Sequence, residues 1–372
     1  MSAPRRFRRA AILAAAAGLV IAPAASALAS APPPFLAKFH KIATIGSTVP
    51  RNGDVNPYGT TVIRSSHGKL RAGDVLISNF NNKANLQGTG TTIVELDPSS
   101  GQRILFAQIS GRLPGRCPGG IGLSTALVVL PGGWVVVGST PSANGQAATA
   151  KAGCLIVLDN QGRVRETISG HGINGPWDAT TLNRGRTADV FVTNVLNGTT
   201  ATTKQVHRGT VLRLDLVVPR HGLPRVRSIT TIGSGFPEQA SASAFVLGPT
   251  GVALGGDGTL YVASTRSNSI AGIPDADLRT TDAGTGFGIS ARGELASPLG
   301  LAMAPNGNIL AVNGNNGKIV EVKPGGEQVA TAMLDSHGKP AGAGALFGLA
   351  LVPGDGGVYY VDDAVNTLRV LH

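Results

Sequence analysis

One short unit recurs along most of this 372-residue chain. Each copy has a small residue, an apolar run, a turn, and a second apolar run that ends on a small polar residue. Three copies are clear: "GPTGVALGGDGTLYVAS" (248–264), "SPLGLAMAPNGNILAVN" (297–313) and "LFGLALVPGDGGVYYVD" (346–362). Three looser copies end at Asn79, Ser139 and Asn194, which makes six. A unit repeated at this spacing predicts an array built from one supersecondary structure.

Each copy has the features of a β-hairpin followed by further strands. The turns "GGDG", "PNG" and "PGDGG" supply residues that tolerate positive φ, as tight hairpins require. A third strand candidate follows every copy, and a fourth follows five of the six. The last copy lacks a fourth strand because the chain ends at "NTLRVLH".

The missing strand has a candidate near the start of the chain. "FHKIATI" at 39–45 stands alone, and "KIATIGS" resembles "SITTIGS" at 228–234. In a ring of four-stranded sheets, such a strand can complete the last sheet and leave only short edges. The sequence therefore predicts an all-β fold, a six-bladed β-propeller of four-stranded antiparallel blades. An N-terminal strand at about 39–45 closes the ring by joining the last blade.

The first residues, 1–31, are typical of a signal peptide. Four arginines precede an Ala/Leu/Ile/Val run, and an "ALA" cleavage site follows at 27–29. No second long apolar run occurs, so we expect no membrane span in the mature chain. The prediction is a single propeller domain at 32–372 that is secreted or periplasmic.

The charge pattern restricts the class of partner. Removing the four leader arginines from the formal net charge of +11 leaves +7, which favours anionic cell-envelope surfaces. The basic residues are scattered and have no interleaved aromatic residues, so we expect no nucleic-acid partner.

The chain has two cysteines, Cys117 and Cys154. An even pair in an exported protein predicts a disulfide, which would stabilise the fold by roughly 4 kcal/mol on the chain-entropy model. No histidine stands at ligand spacing from either cysteine, which disfavours a zinc site.

Several copies resemble NHL repeats. The best match is "LAVNGNNGKI" at 310–319, with Asn313 where that family has Asp and Asn316 at the family's Asn. "YVASTRSNSI" at 261–270 and "YVDDAVNTL" at 360–368 are similar with a shift of one residue. The resemblance covers nearly the whole mature chain. It implies a propeller whose relatives include protein-binding platforms, metal-dependent lactonases and lyases, so it leaves the function open.

Polar residues end the second strand of each copy. They are Asn79, Ser139, Asn194, Ser264, Asn313 and Asp362. Asp178 stands where three other copies have Gly. Carboxylate and amide oxygens suit a divalent cation such as Ca²⁺ or Mg²⁺ in the central channel. Alternatively, such side chains at strand ends satisfy the backbone groups of turns.

This set is similar to the metal centre of the gluconolactonase/SMP-30 propellers. The resemblance implies Asn194, Asn313 and Asp362 as metal ligands and Asp178 as ligand or base. The chain has "NPYG" where that family has Glu-Gly-Pro in its first blade, so one acidic ligand is missing.

Two further residues stand close to Asp178 in the sequence. His171 could act as a base oriented by Asp178, but no "GxSxG" nucleophile motif occurs, and an exposed loop histidine is the favoured interpretation. Trp177 could stack on a sugar or an aromatic ligand from the same loop.

Two hypotheses of function follow. The first is an exported, non-catalytic propeller that binds a protein, a glycan or an anionic cell-envelope ligand, with no certain cofactor. Its candidate ligand-binding residues are Asn79, Trp177, Asp178, Asn194, Asn313 and Asp362. The alternative is a metal-dependent hydrolase of the lactonase type with its site in the channel. We favour the first because no complete catalytic set is visible.

Overall fold

The computed structural model describes Met1 and residues 33–372, and every strand of the described residues belongs to the compact unit Pro34–His372. The predicted signal peptide and its cleavage site lie outside the described residues, apart from Met1. In residues 33–372, no helix is long and apolar enough to cross a membrane.

The strands form six antiparallel sheets, and each sheet is one blade. Blade 1 contains β2 (Val55–Val62), β3 (Val75–Asn81), β4 (Thr92–Leu96) and β5 (Arg103–Gln108). Blade 2 contains β6 (Leu123–Leu130), β7 (Trp134–Ser139), β8 (Cys154–Leu158) and β9 (Val164–Ile168). Blade 3 contains β10 (Gly175–Arg184), β11 (Thr187–Val195), β12 (Val206–Val217), β13 (Arg225–Ser241) and β14 (Phe245–Leu247).

The second half of the chain is more regular. Blade 4 contains β15 (Pro249–Leu254), β16 (Leu260–Ser264), β17 (Ser269–Ile273) and β18 (Phe287–Ala291). Blade 5 contains β19 (Pro298–Met303), β20 (Ile309–Asn313), β21 (Lys318–Val322) and β22 (Gln328–Met333). Blade 6 contains β23 (Leu346–Leu351), β24 (Val358–Asp362), β25 (Thr367–Leu371) and β1 (Ile42–Ser47). Short 3-10 helices cover Phe35–Lys38, Pro131–Gly133, Ala147–Thr149, Thr265–Ser267 and Pro353–Asp355.

The predicted ring closure is confirmed. β1 pairs with β25, and the backbone groups of Lys41 and His372 exchange hydrogen bonds of 3.0 and 2.9 Å. The strand lies slightly later than the predicted 39–45. The preceding residues are held elsewhere, since the amides of Phe35 and Leu36 each donate to the Glu321 carboxylate at 2.8 Å.

One blade departs from the prediction of four strands. In blade 3, β13 continues past its pairing with β12 and turns back as β14, which makes a fifth strand. The sequence pattern missed β14 because it has three residues and pairs only with the end of β13.

The hydrophobic core lies between neighbouring blades. Successive side chains of a strand point to opposite faces of the sheet. Leu349 and Tyr360 therefore pack on the side of blade 5, whereas Tyr359 packs with Val75 and Ile77 of blade 1. Each sheet thus buries both faces, which explains the nearly continuous burial of the second strands.

A ring of close contacts brings the blades together around the axis. A Cβ atom added at Gly251 would lie 2.0 Å from the carbonyl oxygen of Leu299 in the next blade. The corresponding distance from Gly348 to the carbonyl oxygen of Tyr58 is 2.1 Å, and Gly59 and Gly300 are similarly restricted. Only glycine fits at this spacing. In the two remaining blades, Thr125 and Asp178 occupy this position and use their side chains to bond the neighbouring blade.

Candidate functional site: the two ends of the central channel

The six innermost strands enclose a channel. β2, β6, β10, β15, β19 and β23 each stand at the edge of their sheet, so one side of each backbone is unpaired. Their residues line a cavity of about 1340 Å³. We call the end where these strands begin the closed end, and the end where they turn into the second strands the open end.

The closed end is filled by an aromatic cluster. It consists of Tyr58, Phe80, Trp177, Phe245 and Phe347. Tyr58 and Phe347 stack with ring centroids 4.2 Å apart, and Trp177 stacks on Phe245 at 6.2 Å. Edge-to-face contacts join Phe80 to Trp177 at 5.5 Å and to Phe245 at 5.6 Å. Because only 4% of the chain is aromatic, this concentration is a distinct feature of the site.

Trp177 has a different environment from the one predicted. It lies in β10, not in a loop, and is 2% exposed. Its indole N–H donates to the Tyr58 hydroxyl at 3.3 Å. Burial raises the pKa of Tyr58, so that hydroxyl stays protonated. In this arrangement Trp177 stacks on Phe245 and forms edge contacts with Tyr58 and Phe80, and a role in ligand stacking remains a prediction.

Phe245 reaches the cluster from the β13–β14 hairpin. Its side chain is fully buried, and its φ of 61° is unusual for a bulky residue. Such a conformation costs roughly 1–3 kcal/mol and persists only where the surroundings enforce it. The burial of the phenyl ring provides that constraint.

Asp178 lies on the channel wall next to the aromatic cluster. Its carboxylate accepts hydrogen bonds from the amide of Ala179 at 2.8 Å and from the amide of Val252 in blade 4 at 3.1 Å. Burial raises the pKa of Asp178 to about 7, and these bonds oppose the increase. The carboxyl group therefore bridges two blades and exchanges a proton near neutral pH.

His171 does not join Asp178. It lies in the exposed loop between β9 and β10, whereas Asp178 lies inside the channel. Among the described residues, His171 forms no side-chain hydrogen bond, so the predicted base and its orienting carboxylate are not brought together.

The polar residues at the ends of the second strands are buried and bonded within their own blades. Asn194 accepts from the amides of Asn174 and Gly175 and donates to the carbonyl of Gly172 at 2.7 Å. Asn313 likewise accepts from the amide of Ala296 and donates to the carbonyl of Glu294. Ser139 bonds the loop at Gly120 and Gly122, and Ser264 bonds Ser267. The bonds of Asn194, Asn313 and Ser139 hold the loops that enter their blades, whereas the Ser264 bond lies in the segment that follows its strand.

Asn79 and Asp362 each keep one buried oxygen without a hydrogen-bond partner in the described residues. Asn79 donates to the Thr48 carbonyl and to Thr92. Asp362 accepts from Arg369 at 2.8 Å, and burial raises the pKa of its carboxyl group. Arg369 also lies 3.7 Å from Asp335, which bonds the exposed His337 at 2.6 Å. No local pattern marks this cluster, because its members are far apart in the chain or in an irregular loop.

The predicted cation ligands form other hydrogen bonds in this arrangement, and a shared cation site remains a prediction. Asn194, Asn313 and Asp362 belong to three blades, and no hydrogen bond joins any two of them in residues 33–372. The amides of Asn194 and Asn313 already bond their own loops. In the same residues, no three His, Cys, Asp or Glu side chains are grouped to hold a metal ion.

The disulfide is confirmed. Cys117 and Cys154 are joined, with their Cα atoms 5.2 Å apart. Cys154 pairs with Ser139 at the end of β7, which pairs in turn with Leu123 at the start of the innermost strand. The bond therefore ties loops on the same face as the closed end.

No protein-family model and no curated protein matches the chain. Solved structures do match. A gluconolactonase from Xanthomonas campestris aligns over 89% of this chain and 88% of its own, with 12% identity and a TM-score of 0.56. The calcium-binding protein regucalcin from Agrobacterium tumefaciens aligns over 88% and 93%, with 12% identity and a TM-score of 0.56. The chain has the fold of the six-bladed β-propellers. A streptogramin B lyase aligns over 89% and 97%, with 15% identity and a TM-score of 0.51. At these identities the likeness concerns the fold alone.

Proposed function

We propose that this protein is an exported binding module whose channel receives its ligand through the open end. The observation that supports the proposal is the asymmetry of the channel. A cavity of about 1340 Å³ is sealed at one end by buried aromatic rings and bordered at the other by exposed hairpin residues such as Asn183, Gly185 and Asp355. The predicted signal peptide and the disulfide support export and a secreted or periplasmic location.

Below the open end, where Arg64, His67 and Asp355 lie, the channel wall suggests an uncharged, polar ligand. It presents the unpaired backbone edges of six strands and the side chains of Thr60, Thr61, Thr180 and Thr181. Asp178 is a carboxylate deep in this wall, and both its oxygens already accept backbone amides. Neutral donors and acceptors of this kind suit an extended segment of a glycan or a polypeptide. The net positive charge of the mature chain would concentrate the protein on anionic envelope polymers that carry such segments.

A substitution that fills the channel with a large side chain tests the proposal. Ala350 lies on the channel wall and is partly exposed, so Ala350→Trp should obstruct the cavity, whereas Ala350→Ser should not. Both variants and the parent are assayed on immobilised neutral oligosaccharides and on cell-wall polymers, after circular dichroism has shown that they fold. We expect Ala350→Trp to bind at least tenfold more weakly. Equal binding by the tryptophan variant would place the ligand outside the channel.

The alternative function is a metal-dependent lactonase. It is supported by the fold shared with gluconolactonase and regucalcin and by Asp178, whose pKa of about 7 suits a general base. Mass spectrometry of the purified protein for bound Ca²⁺ or Mg²⁺, with an Asn313→Ala/Asp362→Ala variant beside it, tests this function. One equivalent of metal that is lost in the variant, together with turnover in a lactone screen, would favour the enzyme over the binding module.

A further inference from the structure

We infer that the aromatic cluster is a second ligand site, which Phe245 keeps closed, and that its ligand inserts an uncharged planar aromatic ring in place of the Phe245 side chain. The site lies at the opposite end of the channel from the proposed ligand entry. The inference therefore does not rest on the proposed function.

The first observation is that the other four rings of the cluster contact one another without help from Phe245. Tyr58 and Phe80 come from blade 1, Trp177 from blade 3 and Phe347 from blade 6. Tyr58 contacts Phe80 at 6.1 Å, Trp177 at 5.8 Å and Phe347 at 4.2 Å, all between ring centroids. Each of these four rings is fixed by a blade of the propeller. Removing Phe245 would leave a ring-sized space between Trp177 and Phe80.

The second observation is that Phe245 belongs to a weakly held segment. Apart from the pairing of β14 with β13, the hairpin residues 241–247 form one hydrogen bond to the rest of the described chain, from the Gln87 side chain to the carbonyl of Ser243 at 3.3 Å. Ala242 and Ser243 at its tip are exposed. The remaining attachment is the burial of Phe245 and Val246, and Phe245 is held at positive φ. When the Phe245 phenyl ring leaves the cluster, this backbone strain is removed, which favours the open state of the hairpin.

The chemistry of the space defines the ligand. The face of Trp177 is nearly parallel to the Phe245 ring, at 13°, and Phe80 presents its ring at 84° to it. A flat ring is therefore the shape that fits. The Trp177 N–H is already bonded to the Tyr58 hydroxyl, so no indole donor is left for a polar group on the ligand. An uncharged aromatic ring satisfies both conditions.

Tryptophan fluorescence gives a direct test because the chain has only two tryptophans. Trp134→Phe leaves Trp177 as the sole reporter. The probe is 4-nitrobenzyl alcohol, an uncharged nitroaromatic that quenches indole fluorescence on contact. We expect saturable quenching in this background. Phe245→Ala added to it should strengthen probe binding at least tenfold, because the probe no longer competes with the phenyl ring.

Phe191→Ala is the matched control. Phe191 is the other phenylalanine of blade 3 with no exposed surface, but it packs in a different core cluster. In the Trp134→Phe background, its loss should leave probe binding within twofold of the parent. A folded Phe245→Ala variant whose Trp177 is not quenched would overturn the inference, as would equal strengthening by Phe191→Ala.

Hydrogen exchange on the unmodified protein gives a second, independent test that does not depend on the folding of a variant. The amides of 241–247 should exchange at least a hundredfold faster than those of β16, and saturation with 4-nitrobenzyl alcohol should accelerate them further. Hairpin amides as protected as β16 and unaffected by the probe would show that the cluster is only a packed core.

Discussion

The two ends of the channel are built from the same six strands but differ in what encloses them. At the closed end, five aromatic rings from three blades fill the axis, and a disulfide ties a nearby loop. At the open end, the connections between first and second strands are rich in glycine, and all but the longer β2–β3 loop are short hairpins with exposed residues. The repeat determines the backbone of both ends equally. The difference shows that side chains which break the repeat, above all Trp177 and Phe245, decide which end of the channel is filled.

The largest expected loss of stability comes from a substitution at the closed end. Trp177→Ala should lower the free energy of unfolding by roughly 3–5 kcal/mol, since it leaves a large cavity among buried rings. Met303→Ala at the open end, where the side chain is partly exposed to the channel, should lower it by less than about 2 kcal/mol. Urea denaturation measures both. Equal losses would mean that the two ends are packed alike.

The disulfide should contribute somewhat less to the free energy of unfolding than the Trp177 side chain does. Cys117→Ser/Cys154→Ser opens a loop of 37 residues and should lower the free energy of unfolding by roughly 2–4 kcal/mol. Reducing agent should weaken the parent by the same amount and leave the double variant unchanged. If the variant and the parent unfold at the same urea concentration, the bond does not stabilise this face.

Alanine substitutions at glycines should have different effects in the ring of close contacts around the axis and in the exposed hairpins. Gly251→Ala should destabilise the protein by roughly 1–3 kcal/mol, because the added methyl group overlaps the Leu299 carbonyl. Gly256→Ala is the matched control in the β15–β16 hairpin at the open end, where a Cβ meets no atom within 4 Å. Its effect on the free energy of unfolding should be below about 0.5 kcal/mol. A tolerated Gly251→Ala would show that the blades can separate around the axis.

The fourth expected effect is a pH dependence of the free energy of unfolding. The pKa of Asp178 is raised from 3.8 to about 7, so the folded state holds a proton that the unfolded state has lost between about pH 4 and pH 7. The free energy of unfolding should therefore fall as pH rises through this window and level off above it. Asp178→Asn should make the fall shallower. It should not abolish the fall, because burial also raises the pKa of Asp363 and Glu238 to about 7.

Denaturation at pH 4, 5.5 and 7 measures this slope in the parent and in Asp178→Asn. Identical slopes would mean that the Asp178 carboxyl is solvated by channel water and has an ordinary pKa.

The sequence predicted the architecture well because its signals are local. The hairpin turns, the six copies and the unpaired strand near residue 42 each depend on short stretches, and together they determined the number of blades and the closure of the ring. The predicted disulfide also formed, since the chain has only two cysteines to join. β14 was missed because a three-residue strand has no detectable period.

The candidate site could not be predicted in the same way. Asn194 and Asn313 were recognised as equivalent positions, but the sequence could not show that their amides bond the loops of their own blades. The sequence predicts that Trp177 stacks on a ligand, but its aromatic neighbours in the fold are Tyr58, Phe80 and Phe245, which no local pattern connects with it.

The sequence by itself determined the fold of this protein, because each blade is specified by residues that are neighbours in the chain. Only the tertiary structure decided that one end of the channel is closed, because this depends on rings from positions 58, 80, 177, 245 and 347 that meet after the ring of blades has formed. Contacts between residues so distant in sequence follow from packing around a common axis, and the hydrophobic pattern of a strand does not show which distant residues meet there.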